Sequence, residues 1–151
     1  MSRIRIVVAD QAEAIFYDAS SLRTRPREVA RISDPAAHLH AREFSSDRPG
    51  RTYESVGGAR HAVGRELDPR RREAVRFARR IARRLDEARR QDEFEELIVV
   101  AGPPFLGLMR EELSRPTRAC VVHEVRKDLV HRPPEDLRRH LPQSAAELRP
   151  A

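Results

Sequence analysis

Lysine is all but absent from this chain: Lys127 is the one lysine among 30 basic residues, and the other 29 are arginine. Tryptophan is missing, aromatics make up 5% of the residues, and Cys120 is the single cysteine. Each shortage excludes something. A lone thiol forms no internal disulfide and no cysteine-based zinc site. With so few rings, a core must be built mainly from aliphatic side chains. No unbroken apolar run exceeds a few residues, whereas a membrane-spanning helix takes about 20. The first residues soon meet Asp10 and Glu13, which leaves no uncharged apolar stretch of signal-peptide length. These shortages favour a cytoplasmic protein with no membrane contact.

What is present is charge. Charged residues make up 36% of the 151, for a net charge of +6. The length suits one domain and is too short for a dinucleotide-binding domain followed by a substrate domain. Arginine in place of lysine is ambiguous by itself, since a GC-rich genome produces the same skew as selection for phosphate contacts.

Ile4, Ile6 and Val8 alternate with Arg5, Val7 and Ala9 up to Asp10, which reads as a strand. Residues 14–18 form a second strand after the short turn Gln11-Ala12, and residues 27–32 a third with period two, giving an antiparallel meander. From Ser33 to Asp68 no periodicity survives, and a connection of this length is functional or unstructured in most domains. Asp68-Pro69 then predicts a helix start, with Asp as N-cap and Pro at the first helical position. The helix is expected to run to about Gln91. Leu97-Ile98-Val99-Val100-Ala101 reads as a strand buried on both faces, broken by Gly102-Pro103-Pro104. A short helix over Phe105–Leu113, a fifth strand over Ala119–Val125 and a last helix over Pro134–Leu141 follow. The domain is thus expected to cover residues 1–142, with an inserted loop at 34–68 and a frayed tail at 143–151. Three antiparallel strands followed by βαβα units define an α/β fold with a mixed five-stranded sheet flanked by helices, the order of the ribonuclease-H-like architecture.

That architecture raises the question of metal-dependent nuclease chemistry, which needs carboxylates converging on divalent ions. Asp10 and Glu73 are candidates for two of them, but Ala101-Gly102-Pro103 provides none after the fourth strand. Asp10 reads better as a turn residue. His38 and His40, with His61 further on, lack a third ligand at motif spacing. Cys120 reads as a buried, inert thiol in a strand. Gly57-Gly58 is not followed by the Gly-Lys-Ser/Thr of a phosphate-binding loop. Pro103 and Pro104 remove two N–H donors that an anion site would use at the next helix. No cofactor and no metal are expected.

Two features remain. Residues 69–93 hold ten arginines against five acidic residues, a net of +5, so the rest of the chain carries +1. At 100° per residue, Ala74, Phe77, Ala78, Ile81, Ala82, Leu85 and Ala88 share one face of the helix. Arg72, Arg76, Arg79, Arg80, Arg83, Arg84 and Arg90 lie opposite. This face is either solvated, with pairs such as Arg83/Glu87 and Asp86/Arg90 at i,i+4, or aimed at phosphates, which the planar arginine fork suits. The second feature is the segment from Ser46 to His61. Arg48, Arg51, Arg60 and His61 can all donate to an anion there, and Gly57-Gly58 permits close backbone approach. A plain surface loop is the alternative.

The strand ending Val8-Ala9-Asp10, Ser46-Asp47-Arg48-Pro49-Gly50-Arg51, the helix containing Phe77, residues 99–107 (Val-Val-Ala-Gly-Pro-Pro-Phe-Leu-Gly) and Glu124-Val125-Arg126-Lys127-Asp128-Leu129 together resemble the bacterial host attachment family. The resemblance spans roughly residues 4–141. The family is similar in turn to the middle domain of archaeal and eukaryotic class I peptide-release factors. This implies a ribonuclease-H-like core whose inserted loop precedes a long basic helix. Where release factors carry Gly-Gly-Gln, this chain has Gly57-Gly58-Ala59. Ala59 has no amide to position water against an ester, so hydrolysis is not implied, whereas binding at the ribosome survives the loss. The implied partner is the ribosome, transfer RNA or ribosomal RNA, contacted by Arg48, Arg51, Arg60, His61, Arg72, Arg76, Arg79, Arg80 and Arg83. The alternatives are a peptidyl-tRNA or RNA hydrolase, and a protein acting in attachment to host cells directly or through other genes.

Overall fold

The structure is a computed structural model that describes residues 3–37 and 68–150. Five strands form one sheet in the order β3-β2-β1-β4-β5. They are β1 (Ile4–Ala9), β2 (Glu13–Ala19), β3 (Arg27–Ser33), β4 (Glu96–Ala101) and β5 (Val121–Val125). The first three form the expected antiparallel meander, and β4 and β5 join parallel to β1. This is the mixed five-stranded α/β fold read from the sequence. Asp10 closes the first hairpin, its Oδ1 accepting from the Ala12 and Glu13 amides at 2.8 Å each.

The long helix α1 spans Pro69–Arg90. Its start is as expected: the Asp68 carboxylate accepts from the Arg70 and Arg71 amides, and Pro69 occupies a position with no helical N–H to lose. Ala74, Phe77, Ala78, Ile81, Ala82, Leu85 and Ala88 are buried against the sheet. Phe77, Ile81 and Leu85 are almost wholly removed from water; each such burial contributes roughly 1.5–3 kcal/mol. The exit is made by Asp92 at φ 57°, a left-handed residue where Asp is tolerated better than most.

Helix α2 (Pro103–Glu112) packs beside α1, with the Phe105 ring 6.3 Å from that of Phe77. It begins at Pro103, two residues earlier than expected. Gly102-Pro103-Pro104 does end β4, but the prolines then occupy the first helical turn, where the missing donors cost nothing.

A further helix, α3 (Arg115–Ala119), was not expected. Ser114 caps it, accepting from the Thr117 amide, and Pro116 sits in its first turn. In consequence β5 begins at Val121, not Ala119, and Cys120 is the C-cap of α3 and half-buried rather than a buried strand thiol. The Cys120 thiol is pushed up by burial, opposed by nearby Arg89.

The other face of the sheet is covered by residues after β5. Leu129, Val130, Leu137 and Leu141 close over Ile4, Ile6, Val8, Ile15, Ile98 and Val100. Leu137 comes from α4 (Pro134–His140). The tail does not fray from residue 143. Glu124 donates to the Arg149 carbonyl at 3.0 Å, and the Arg149 amide donates to His123 Nδ1 at 2.7 Å. The tail therefore occupies the free edge of β5, which would otherwise expose unpaired backbone groups.

Candidate nucleic-acid interface

The helix α1 turns one face into the core and the other outward. Arg72, Arg76, Arg79, Arg80 and Arg83, the five site residues read on this helix, are all exposed. Arg48, Arg51, Arg60 and His61, the Gly57-Gly58-Ala59 segment, and His38 and His40 lie outside the described residues.

The arginines of α1 do different things. On the flank toward α2, Arg79 Nε reaches Glu112 at 3.0 Å. On the flank toward the meander, Arg80 donates to the Ser33 carbonyl at 3.1 Å and its guanidinium lies 5.7 Å from the Phe77 ring centroid. Arg84 lies 5.5 Å from the Phe16 ring in the same way. Such cation–ring contacts contribute about 0.5–1 kcal/mol at exposed sites. These three arginines tie the helix to its neighbours while remaining exposed.

Along the crest between the flanks, Arg72, Arg76 and Arg83 fall within a narrow sector, with Arg79 at its margin. Their 4-3-4 spacing aligns them along the axis over about 16 Å, at about 1.5 Å rise per residue. Arg76 pairs with Glu73 at 3.3 Å, but its side chain stays 71% exposed. Arg83 makes no ion pair or side-chain hydrogen bond with any described residue. The i,i+4 pair expected between Arg83 and Glu87 is therefore not formed. Glu87 meets Arg90 at 3.4 Å and Gln91 at 3.0 Å instead. The expected Asp86/Arg90 pair is present at 4.0 Å. Among the described residues, Arg83 thus leaves the middle of the crest positive, while Asp86 and Glu87 balance Arg90 at its C-terminal end.

Asp86, read from the sequence only as a partner of Arg90, has a second role that the sequence reading missed. Ser114 Oγ donates to it at 2.6 Å, the buried Thr117 hydroxyl donates as well, and Arg89 lies 3.6 Å away. The two hydroxyls, chiefly Ser114, hold its carboxyl below the usual range. Asp86 is thus chiefly an anchor between α1 and α3 through Oδ1, while its Oδ2 lies 4.0 Å from Arg90 at the C-terminal end of the crest. The missing signal was the capping serine before Arg115-Pro116.

No helix among the described residues is long and apolar enough to cross a membrane. Nor do three histidine, cysteine, aspartate or glutamate side chains converge among the described residues to hold a metal ion. Asp10 has its Oδ1 engaged by two amides and its Oδ2 3.6 Å from the exposed His131. Glu73 turns to Arg76 on the crest.

The fold and this helix define a mixed α/β domain that presents one strongly basic helix outside its core. The family model described as "Protein required for attachment to host cells" matches residues 5–141, and the chain belongs to that family. It is also similar to "Uncharacterized protein RP470" of Rickettsia prowazekii (strain Madrid E), at 26% identity over 132 residues, which covers 83% of each chain.

Proposed function

We propose that this protein binds RNA, on the ribosome or as transfer RNA, through the phosphate backbone, with the arginine crest of α1 as the principal contact. The observation that carries the reading is the stripe Arg72, Arg76, Arg79 and Arg83, within a segment that holds +5 of the chain's net +6. Guanidinium groups in a row suit a row of phosphates, because each fork donates two hydrogen bonds to one anion. Such contact is sequence-independent and salt-sensitive, since each neutralised phosphate releases counterions. The resemblance of Gly57-Gly58-Ala59, ahead of a basic helix, to the release-factor arrangement supports the same partner. Arg48, Arg51, Arg60 and His61 would extend the contact from that segment.

Co-sedimentation with purified ribosomes at low and high salt tests the reading. The expected outcome is association at low salt that is lost at high salt and abolished by Arg72→Glu/Arg76→Glu/Arg83→Glu. Arg79 and Arg80 are left intact in that variant because they hold Glu112 and the Ser33 carbonyl. Absence of association with ribosomes and with transfer RNA at low salt would remove the proposal.

A further inference from the structure

On the sheet face opposite α1, a groove of about 400 Å³ opens between the end of β2, the β2–β3 turn and α4. This is within the size range of small-molecule sites, roughly 300–1,000 Å³. Its walls are apolar and stiff: Tyr17, Pro26, Pro134 and Leu137. Tyr17 and Leu137 are themselves buried, so neither can swing away to fill the space. The rim holds three guanidinium groups, Arg25, Arg138 and Arg139, against one carboxylate, Glu135.

The pairing within the rim is incomplete. Glu135 reaches Arg25 only at 4.0 Å, with both side chains mostly exposed. Arg139 is turned toward Asp136 at 3.2 Å. Arg138 has no ion pair with any described residue. The groove therefore combines an apolar slot with an uncompensated cation at its mouth. Burial, reinforced by Glu28, pushes the Tyr17 phenol up, so its hydroxyl remains a neutral donor at ordinary pH.

We propose that this groove binds a small organic anion, a phosphate or carboxylate carried on a planar apolar body. The body would lie between Tyr17, Pro26 and Leu137, and Arg138 and Arg25 would hold the anion. A bare anion lacks the apolar contact, and a neutral ring leaves the guanidinium groups unanswered. Both halves are needed, which distinguishes this site from the phosphate-tracking crest of α1. The groove is independent of that reading.

The test is titration of the isotope-labelled full chain, followed by NMR, with 1-naphthyl phosphate and 1-naphthoate. Inorganic phosphate and 1-naphthol serve as the two halves. The expected result is saturable shifts at Tyr17, Leu137 and Gln143 with both naphthyl anions. Each half ligand should bind at least about tenfold more weakly, as should the anions on Arg138→Glu, the scale of losing a charge-assisted hydrogen bond. Arg25→Gln, on the β2–β3 turn, is a second variant; it gives up only the long, exposed contact with Glu135 of α4 and should weaken binding without unfolding that helix. The tighter of the two naphthyl ligands identifies the anion class. No saturable shift at the groove, affinity unchanged in both variants, or shifts centred on α1 would overturn the proposal. The Arg72→Glu/Arg76→Glu/Arg83→Glu variant should bind the naphthyl anions as the unaltered protein does.

Discussion

Arg5 and Arg83 are the same residue type put to opposite uses. Arg5 lies on β1 facing the α1 side of the sheet and is only 6% exposed. It is held by Asp18, its cross-strand partner on β2, and by Glu93 at 3.2 Å, with the Phe94 ring beneath it. Arg83 projects from the crest of α1 with no such partner among the described residues. Carboxylates are the difference. Where the fold brings two of them to a buried guanidinium, the charge is consumed in holding elements together. Where none of the described residues brings one, as at Arg83, the guanidinium faces outward. The number of arginines therefore says little, and the positions of the acidic residues say much.

The comparison can be broken most severely by removing the support beneath the crest. Phe77→Ala should cost about 3–5 kcal/mol, from lost transfer energy and the cavity left beside Phe105, read by denaturant unfolding. Arg5→Ala comes next. Removing one partner of a buried pair costs about 3–5 kcal/mol, but Asp18 and Glu93 are partly exposed, which lowers the expectation to about 2 kcal/mol. Thr117→Val takes one hydroxyl from Asp86 and should cost about 1–2 kcal/mol by the same measurement.

A smaller effect is set by pH. His123 is buried on β5 and accepts from the Arg149 amide, so its neutral form is the bonded one. Burial, then Arg149, pushes its pKa below 6.5, against the opposite pull of Glu147 and Glu124. The unfolded chain therefore binds this proton more readily than the folded one. The His123 contribution should be complete above pH 6.5 and decline as pH falls below it toward the folded value. Hydrogen exchange at Glu124 and Arg149 should accelerate over the same interval as the tail leaves the β5 edge. His123→Leu should remove this pH dependence. The smallest effect on stability is expected at the crest itself: Arg83→Glu should change unfolding free energy by less than about 0.5 kcal/mol. A large loss there would show that Arg83 is structural, and the contrast with Arg5 would fail.

Much of the fold was legible because its elements are locally consistent. The alternation in β1 and β3, the apolar run of β4, and the Asp-Pro start and seven-residue buried stripe of α1 all follow from neighbours in sequence. What escaped was non-local. The burial of Arg5 depends on Asp18 and Glu93, the latter 88 residues away. The role of Asp86 depends on Ser114 and Thr117. The α3 turn was hidden because Arg-Pro-Thr-Arg-Ala is too short to show periodicity, and the tail because its backbone pairing with β5 leaves no mark on side-chain pattern. The arginine face was legible as a face, but its division into ties (Arg79, Arg80, Arg84) and crest (Arg72, Arg76, Arg83) required the packing of α2 and the meander against it.

The central claim is that the crest of α1 is an electrostatic contact for nucleic-acid phosphates. The most direct measurement is the salt dependence of binding to a single-stranded RNA oligonucleotide, for the unaltered protein and for Arg72→Glu/Arg76→Glu/Arg83→Glu. If the three crest arginines each neutralise one phosphate, log K should fall with log salt at a slope of about −2. The variant should bind too weakly for a slope to be drawn while keeping its unfolding midpoint. Equal affinity and equal slope in the two proteins, or no binding by the unaltered protein at low salt, would contradict the claim.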